Sequence, residues 1–523
     1  VIPILDSRQM RAADEAAIRE GIPSLTLMEN AAAGVARAAR ERFPPAGRIV
    51  VVCGPGNNGG DGLAAARMLR DVFSVRVFTL RDPDAYRGDP AVNAARARDA
   101  GLTLESLSGN GGVEELSRAL AQAAGAVDAL FGTGLDRPLE GLALDAVDAM
   151  NRAGRPIVAA DVPSGLSSDA GEPIGESVRA ALTVAFAAPK LCHALPPARR
   201  RCGRLVVHDI GIPRRLLEPV GHALHLATGG AVSELLHARN PGAHKGDFGR
   251  VAIVAGSRGR TGAAVLAARG ALRGGAGLVT VLSPASLESI VVAALPEAMT
   301  QGFSERDGAF DAAAGQDLVR SLTRFDAAVV GPGLGTSPET IASVEEVLSG
   351  TRLPIVLDAD GLNAFAGRAA WLAKRDGPVV ATPHPGEAAR LLGRSTKEVQ
   401  ADRLGTAREL ARLTGCCVLL KGEGSLTATP EGRVVVNSSG TPLLATAGSG
   451  DVLSGLIGAL LAAGLPERGA AAAGAWLHGA AGERLEVTLG DAGLLAHEIA
   501  DAVPLVRREL HETEHGTRNT EHD

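Results

Sequence analysis

Along this chain short apolar runs of five or six residues alternate with helical stretches, and few architectures accept that pattern. One set comprises Arg48–Cys53, Val75–Leu80, Ala126–Phe131, Pro156–Asp161, Leu182–Ala187 and Leu205–Asp209. The second comprises Arg250–Ala255, Leu278–Leu282, Ala327–Gly331, Pro354–Asp358, Pro378–Thr382, Cys416–Lys421, Ser425–Thr429 and Arg433–Asn437. Runs that are apolar throughout, rather than at every second residue, belong to strands buried on both faces, the condition of a parallel sheet covered by helices. The expectation is α/β throughout: a doubly wound domain over 1–222, a second α/β domain over 223–508, and a polar, aperiodic tail over 509–523 predicted to be disordered. Two helices, Asp6–Glu20 and Ser24–Phe43 with Ser24 as cap, precede the first strand. Ala223–Asn240 reads as a connecting stretch. Pro430-Glu431-Gly432 predicts a hairpin turn near the end of the second sheet.

Glycine gathers where the strands end. In Ala445–Gly464 the turn Gly448-Ser449-Gly450-Asp451 runs directly into an apolar helix. Glycine lets the backbone approach a ligand closely, and a helix start offers unpaired N–H groups and the positive end of the dipole. The turn is thus a seat for a phosphate or a developing anion. Asp451, in the first helical turn, is expected to be ionised by the same field and able to take a proton from an attacking hydroxyl. Its plainer alternative is an N-terminal cap. Other strand ends carry similar loops. Gly256–Ala264 opens a helix, Gly331–Gly335 is a close-approach loop, and Pro383-His384-Pro385 restrains a histidine. Asp358, Asp360 and Asn363 could hold Mg²⁺ through water. Lys421–Ser425 sets an ammonium beside flexible backbone. Only five of the 53 basic residues are lysine, namely Lys190, Lys245, Lys374, Lys397 and Lys421. Lys245 and Lys421, which adjoin glycine or histidine, read as positions where an ammonium is required.

In the N-terminal domain, Gly54, Gly56 and Gly59 spell G-x-G-x-x-G between a strand and a helix expected over Leu63–Arg70. Asp82 follows at the offset of a ribose contact, so a dehydrogenase is one reading. Against it, Asn57, Asn58 and Asp61 crowd the loop with oxygens better suited to a cation or a polar substrate. Two neighbouring strand ends, with Asp128 before Gly132–Pro138 and Asp161 before Ser164, aim at the same edge. Asn58, Asp128, Asp161 and Ser164 are expected to converge there, although Asp128 alone reads as a satisfied structural acid.

The net charge of -6, with both signs interspersed, argues against a nucleic-acid or anionic-membrane partner. Val452–Leu465, the longest apolar run, is too short to span a bilayer. The five cysteines form no CxxC pair, and no leader pattern is read at the start, so reduced thiols in a cytoplasmic protein are expected.

Taken in order, GPGNNGGDG, VDALFGTG, DVPSG, HKGDFGRVAIVAGS, GPGLG, DADGLN, PHPGE, KGEGS and AGSGD resemble the bifunctional NAD(P)H-hydrate repair enzymes over about residues 1–505. The resemblance implies a Rossmann-like epimerase domain joined to a ribokinase-like, ADP-dependent (S)-NAD(P)H-hydrate dehydratase domain. It implies hydrate contacts at Asn57, Asn58, Gly59, Gly60, Asp61, Gly132, Thr133, Gly134, Leu135, Asp136, Arg137, Pro138 and Asp161. It also implies K⁺ at Asn58, Asp128 and Ser164. In the dehydratase it implies hydrate contacts at Ala264, Gly335, His384 and Asp451, and nucleotide contacts at Lys421, Gly422, Glu423, Gly424, Ser425 and Gly450. Asp451 and Asp161 would be the catalytic groups, ADP the co-substrate with Mg²⁺, and the assembly a homo-oligomer. The competing reading is a ribokinase-like small-molecule kinase fused to a nucleotide-binding domain.

Overall fold

The computed structural model describes residues 1–109, 111–218, 224–236 and 239–519. The chain divides into two compact units, Ile2–Leu224 and His225 onward. The boundary expected after residue 222 lies among residues outside the described ones. Among the described residues no helix is long and apolar enough to cross a membrane.

Among the described residues, one sheet of the N-terminal unit has seven strands: β1 (Arg48–Cys53), β2 (Ser74–Thr79), β3 (Leu104–Ser106), β4 (Gly125–Ala129), β5 (Ile157–Ala160), β6 (Leu182–Phe186) and β7 (Arg204–His208). All pair in parallel, in the order β3-β2-β1-β4-β5-β6-β7. The order reverses between β1 and β4, and their carboxyl ends open the crevice in which doubly wound sheets bind ligands. β3 was not expected: Leu-Glu-Ser is short, polar and half-buried at the sheet edge.

Two helix starts differ from expectation. The helix after β1 spans Asn57–Leu69, so Asn57 to Asp61 form its first turns rather than a loop. Extended Gly56 caps it, and the glycines inside it serve close packing. A Cβ on Gly54 would stand 1.7 Å from the Leu130 carbonyl oxygen, one on Gly59 1.9 Å from that of Gly54, and one on Gly62 2.5 Å from Ala129 Cβ. Ser24 is the first residue of helix Ser24–Arg42 and not its cap; extended Pro23 occupies that position.

In the C-terminal unit, β8 (Arg250–Val254), β9 (Leu278–Pro284), β10 (Met299–Phe303), β11 (Ala327–Val330), β12 (Ile355–Leu357), β13 (Val379–Ala381) and β14 (Cys417–Leu420) are parallel, in the order β14-β13-β12-β11-β8-β9-β10. β15 (Leu426–Ala428) and β16 (Val434–Asn437) continue the sheet beyond β14 as an antiparallel pair. The supposed connector holds a strand, Leu224–Ala227, and a short helix, Gly229–Ser233.

With aromatics at 2% of the chain, the core is built from small side chains. Helix Thr261–Gly274 meets helix Ser449–Ala462 nearly backbone to backbone: a Cβ on Gly455 would lie 1.8 Å from Ala267 O, and one on Gly270 2.2 Å from Val452 O. Residues 509–519, expected to belong to a disordered tail, continue helix Ala496–Asn519. Leu510 gives that stretch an apolar anchor on the core, and Arg484–Glu509 and Arg508–Glu512 ion pairs support it. Residues 520–523 lie outside the described ones.

Candidate active sites

In the N-terminal unit the ends of β1, β4 and β5 surround a cavity of about 530 Å³. Asn57, Asn58, Asp61, Gly132, Thr133, Gly134, Leu135 and Asp161 line it, joined by Asp14 and Lys190. Gly59, Gly60, Asp136, Arg137 and Pro138 are not among its lining residues. Gly59 is closely packed on Gly54 and Gly60 on Met28. Asp82 caps Pro83–Ala85, accepting from Asp84 N at 2.9 Å, and is not among the residues lining the cavity. The loop is fixed instead by Tyr86, whose hydroxyl donates to Gly54 O at 2.9 Å.

Asp161 takes a left-handed backbone conformation, φ 62°, uncommon for a residue other than glycine and characteristic of functional turns. Its Oδ1 receives Lys190 Nζ at 2.5 Å and Phe186 N at 3.1 Å. Its Oδ2 lies on the Gly132 side, 3.4 Å from where a Gly132 Cβ would stand. Burial and the nearby Asp161 and Asp14 carboxylates raise the pKa of Asp61 well above the ordinary range. Burial pushes Asp14 up to about 6 against the pull of Lys190.

Asp128 and Ser164 are brought together beneath this cavity, but their side chains are occupied with each other. Asp128 Oδ1 accepts from Ser164 Oγ at 2.6 Å and Leu130 N at 3.2 Å, and Oδ2 from Ser164 N at 2.8 Å. Burial still pushes Asp128 up to about 6. Asn58 is different: both polar atoms of its amide are buried with no hydrogen-bond partner.

In the C-terminal unit the turn before Ser449–Ala462 is as expected. Gly448 is left-handed at φ 85°, and no side chain caps the helix, so Asp451 is not the cap. Asp451, expected to be ionised by the dipole, is instead pushed up to about 7 by burial and by the carboxylates of Asp358, Asp360 and Glu387, against the pull of Lys421. Lys421 ends β14 in the middle of this acidic group, with Nζ 2.8 Å from Asp358 Oδ1 and 3.9 Å from Glu387 Oε2. Burial works against its charge, but Asp358 and Glu387 hold its pKa above the ordinary value. A Cβ on Gly450 would lie 3.3 Å from Lys421 Nζ, which fixes the ammonium beside the turn. Lys245, the other lysine singled out, is exposed.

His384 caps helix Pro385–Leu392, its Nδ1 accepting from Gly386 N at 3.0 Å and Glu387 N at 3.3 Å. That places the proton of the neutral ring on Nε2, which lies 3.3 Å from Glu387 Oε1. Burial, Lys421 and Arg390 all lower its pKa. Asp360 accepts from Gly335 N at 2.8 Å and lies 3.6 Å from Arg260. Of the carboxylates read as able to hold Mg²⁺ through water, Asp358 is paired through Oδ1 with Lys421 and Asp360 through Oδ2 with Gly335 N. Among the described residues no group of three His, Cys, Asp or Glu is arranged to hold a metal. Ala264 is wholly buried, so it shapes the floor under Gly256 without presenting surface.

Three supporting residues carried no sequence signal strong enough to name. Arg403 donates to the carbonyls of Lys421, at 3.3 Å, and Glu423, holding the Lys421–Ser425 loop. Buried His478 lies 3.0 Å from Ser449 O, and burial lowers its pKa to about 4. Glu387 links His384 to Lys421.

A polar cavity at the switch point of a doubly wound sheet, followed by a separate α/β unit with an anion-seating turn, a neighbouring acid and a buried lysine, defines a two-domain enzyme built for phosphorylated, nucleotide-like ligands. Comparison with known proteins narrows this. The NAD(P)H-hydrate dehydratase family model matches residues 251–505, and that of the YjeF-related protein N-terminus matches 24–192. Bifunctional NAD(P)H-hydrate repair enzymes of Moorella thermoacetica and Thermofilum pendens are 42% and 39% identical to this chain, over 94% and 95% of it and 94% of each relative. Among solved structures, the ADP/ATP-dependent NAD(P)H-hydrate dehydratase of Bacillus subtilis, co-crystallised with ATP/Mg²⁺, is 32% identical. It covers 55% of this chain and 98% of its own, with a TM-score of 0.48. The chain belongs to the bifunctional NAD(P)H-hydrate repair enzyme family.

Proposed function

We propose that the two units act in sequence on one damaged coenzyme, a reduced nicotinamide ring carrying a hydroxyl at C6. The N-terminal unit interconverts the R and S forms of NAD(P)H hydrate. The C-terminal unit dehydrates the S form to NAD(P)H, converting ADP to AMP and phosphate.

The observation that carries this reading is Asp451, poised near neutrality beside Lys421 at the start of a helix. Hydroxide is a poor leaving group. Asp451 takes the hydroxyl proton, the oxygen attacks the terminal phosphoryl of ADP, and AMP departs. Unpaired N–H groups of the 448–451 turn and the Lys421 ammonium stabilise the transferred charge. The ring nitrogen then expels phosphate from C6, and loss of a C5 proton restores the ring. His384, with Nε2–H, and Gly335 border the hydrate, while Lys421–Ser425 and Gly450 receive the nucleotide. Mg²⁺ fits as an ion carried on the nucleotide phosphates, where it neutralises charge.

In the N-terminal unit, Asp161 takes the C6 hydroxyl proton and the C6–N1 bond opens with its electrons going to N1. The Asp161 proton passes to N1, the aldehyde turns, and closure on the other face reverses both transfers. K⁺ would be held by Asn58, Asp128 and Ser164: the Asn58 amide oxygen is buried without a partner and free to ligate, and Asp128 and Ser164 are bonded to each other. Its charge would offset the surrounding carboxylates. The protein is proposed to act in the cytoplasm as a homo-oligomer.

The test supplies mixed R and S hydrate with ADP and follows the return of reduced-nicotinamide absorbance. Full recovery is expected. Recovery of none, or recovery equal to that of Asp451→Asn, defeats the proposal.

A further inference from the structure

Lys190 was one of five lysines in the sequence, yet neither site reading used it. It is 0% exposed, although lysine is almost never fully buried unless paired. Its ammonium has two partners, Asp161 Oδ1 at 2.5 Å and the Phe186 carbonyl at 2.9 Å. Phe186 N also binds Oδ1, so lysine and strand end together grip one oxygen of the carboxylate. The other oxygen is left on the cavity side, toward Gly132. A wholly hydrophobic replacement of a buried ion pair is often neutral or stabilising, so such a pair is poor evidence for stability alone.

The setting explains why a charge is needed. Asp14 faces the pair from helix Ser7–Arg19 and Asp61 from helix Asn57–Leu69, and both are acids. His193, on the short helix after Lys190, is held neutral by burial and by the nearby Lys190 and Arg199 charges. Lys190 is bonded to the Asp161 carboxylate and lies near enough to Asp14 to pull its pKa down against burial.

We propose that Lys190 is a positioning residue of the epimerase: it fixes the Asp161 rotamer through Oδ1 and compensates its charge, so that Oδ2 is presented as the base. This rests on Asp161 being the acid/base group. Lys190 acts through Asp161, since its ammonium is taken up by the Asp161 carboxylate and the Phe186 carbonyl.

The full-length chain supplies its own control, because S-hydrate dehydration depends on the other unit. With R hydrate and ADP, and the spontaneous epimerisation rate subtracted, Lys190→Met is expected to lower epimerase kcat by about a hundredfold or more. KM should stay within about threefold, and the S-hydrate rate should be unchanged. Lys190→Ala then separates charge from volume. Ethylammonium, entering through the cavity, should restore epimerisation at least about tenfold, while propan-1-ol of similar size should not. Equal rescue by both compounds, rescue by neither, or a Lys190→Met enzyme with near-normal kcat overturns the proposal. Asp161→Asn distinguishes the two levels. If that variant epimerises normally, the reading of Asp161 fails; if it is inactive while the Lys190 variants are normal, only the role of Lys190 fails.

Discussion

Replacing Asp451 by asparagine should stabilise the C-terminal unit while abolishing its chemistry. The carboxyl ionises near 3.8 in the unfolded chain and near 7 in the folded one. Between those values the folded state holds a proton that the unfolded state has released, so stability falls as pH rises from about 4 to about 7. At about 1.36 kcal/mol per unit, the roughly three-unit shift sets a ceiling of about 4 kcal/mol above neutrality. Asparagine removes the charge but also forfeits the attraction of Lys421, so a net gain of about 1–3 kcal/mol is expected. For a unit of this size that raises the melting temperature by about 3–10 °C. Calorimetry of both proteins at steps between pH 4 and 8 reads the effect, with dehydration falling about 10²–10⁴-fold in the variant. The difference in stability should vanish near pH 4 and grow toward pH 7. A variant less stable than the parent at pH 7.5, or a gain that ignores pH, refutes the argument that burial and carboxylate crowding hold this proton.

The same shift predicts that the S-hydrate dehydration rate rises with pH through about 7 and levels off above it; a flat profile from pH 5 to 8 would show that Asp451 is not the base. Asp161→Asn should stop epimerisation and leave S-hydrate dehydration intact, measured by giving each epimer separately. Lys421→Met leaves Asp358 buried and unpaired, so it should raise the KM for ADP and cost about 3–5 kcal/mol of stability, seen in denaturant titration. Gly455→Ala places a methyl where Ala267 O already lies 1.8 Å away, and should cost about 1–3 kcal/mol or more, read as a lower melting temperature.

Much of the architecture could be read from the sequence because its long apolar runs are strands with one possible environment. Arg48–Cys53 and Leu182–Phe186 sit almost where the pattern put them. Leu104–Ser106 and Met299–Phe303 escaped because edge strands need not be apolar. The start of the Asn57 helix was hidden by its glycines, which oppose helix by propensity and are kept for contact with Gly54 O and Ala129. At the sites, the glycine turn before Asp451 and the chemistry of Lys421 were legible from local spacing. Lys190, Arg403 and His478 were not, since each acts on a partner more than 15 residues away, known only once the chain is folded. The pKa of Asp451 escaped for the same reason: the dipole is local, whereas Asp358, Asp360 and Glu387 arrive from other strand ends and helices.

The contact between Gly455 and the Ala267 carbonyl has a mechanical consequence. At that crossing no side chain separates the two backbones, so there is no slack, and the acid with its amide donors moves as one body with the neighbouring helix. Room for a nucleotide to enter, or for AMP to leave, must then come from segments hung on the strand ends. The Lys421–Ser425 loop, hinged on glycines at φ 138° and 58° and tethered by one arginine, is built to yield first.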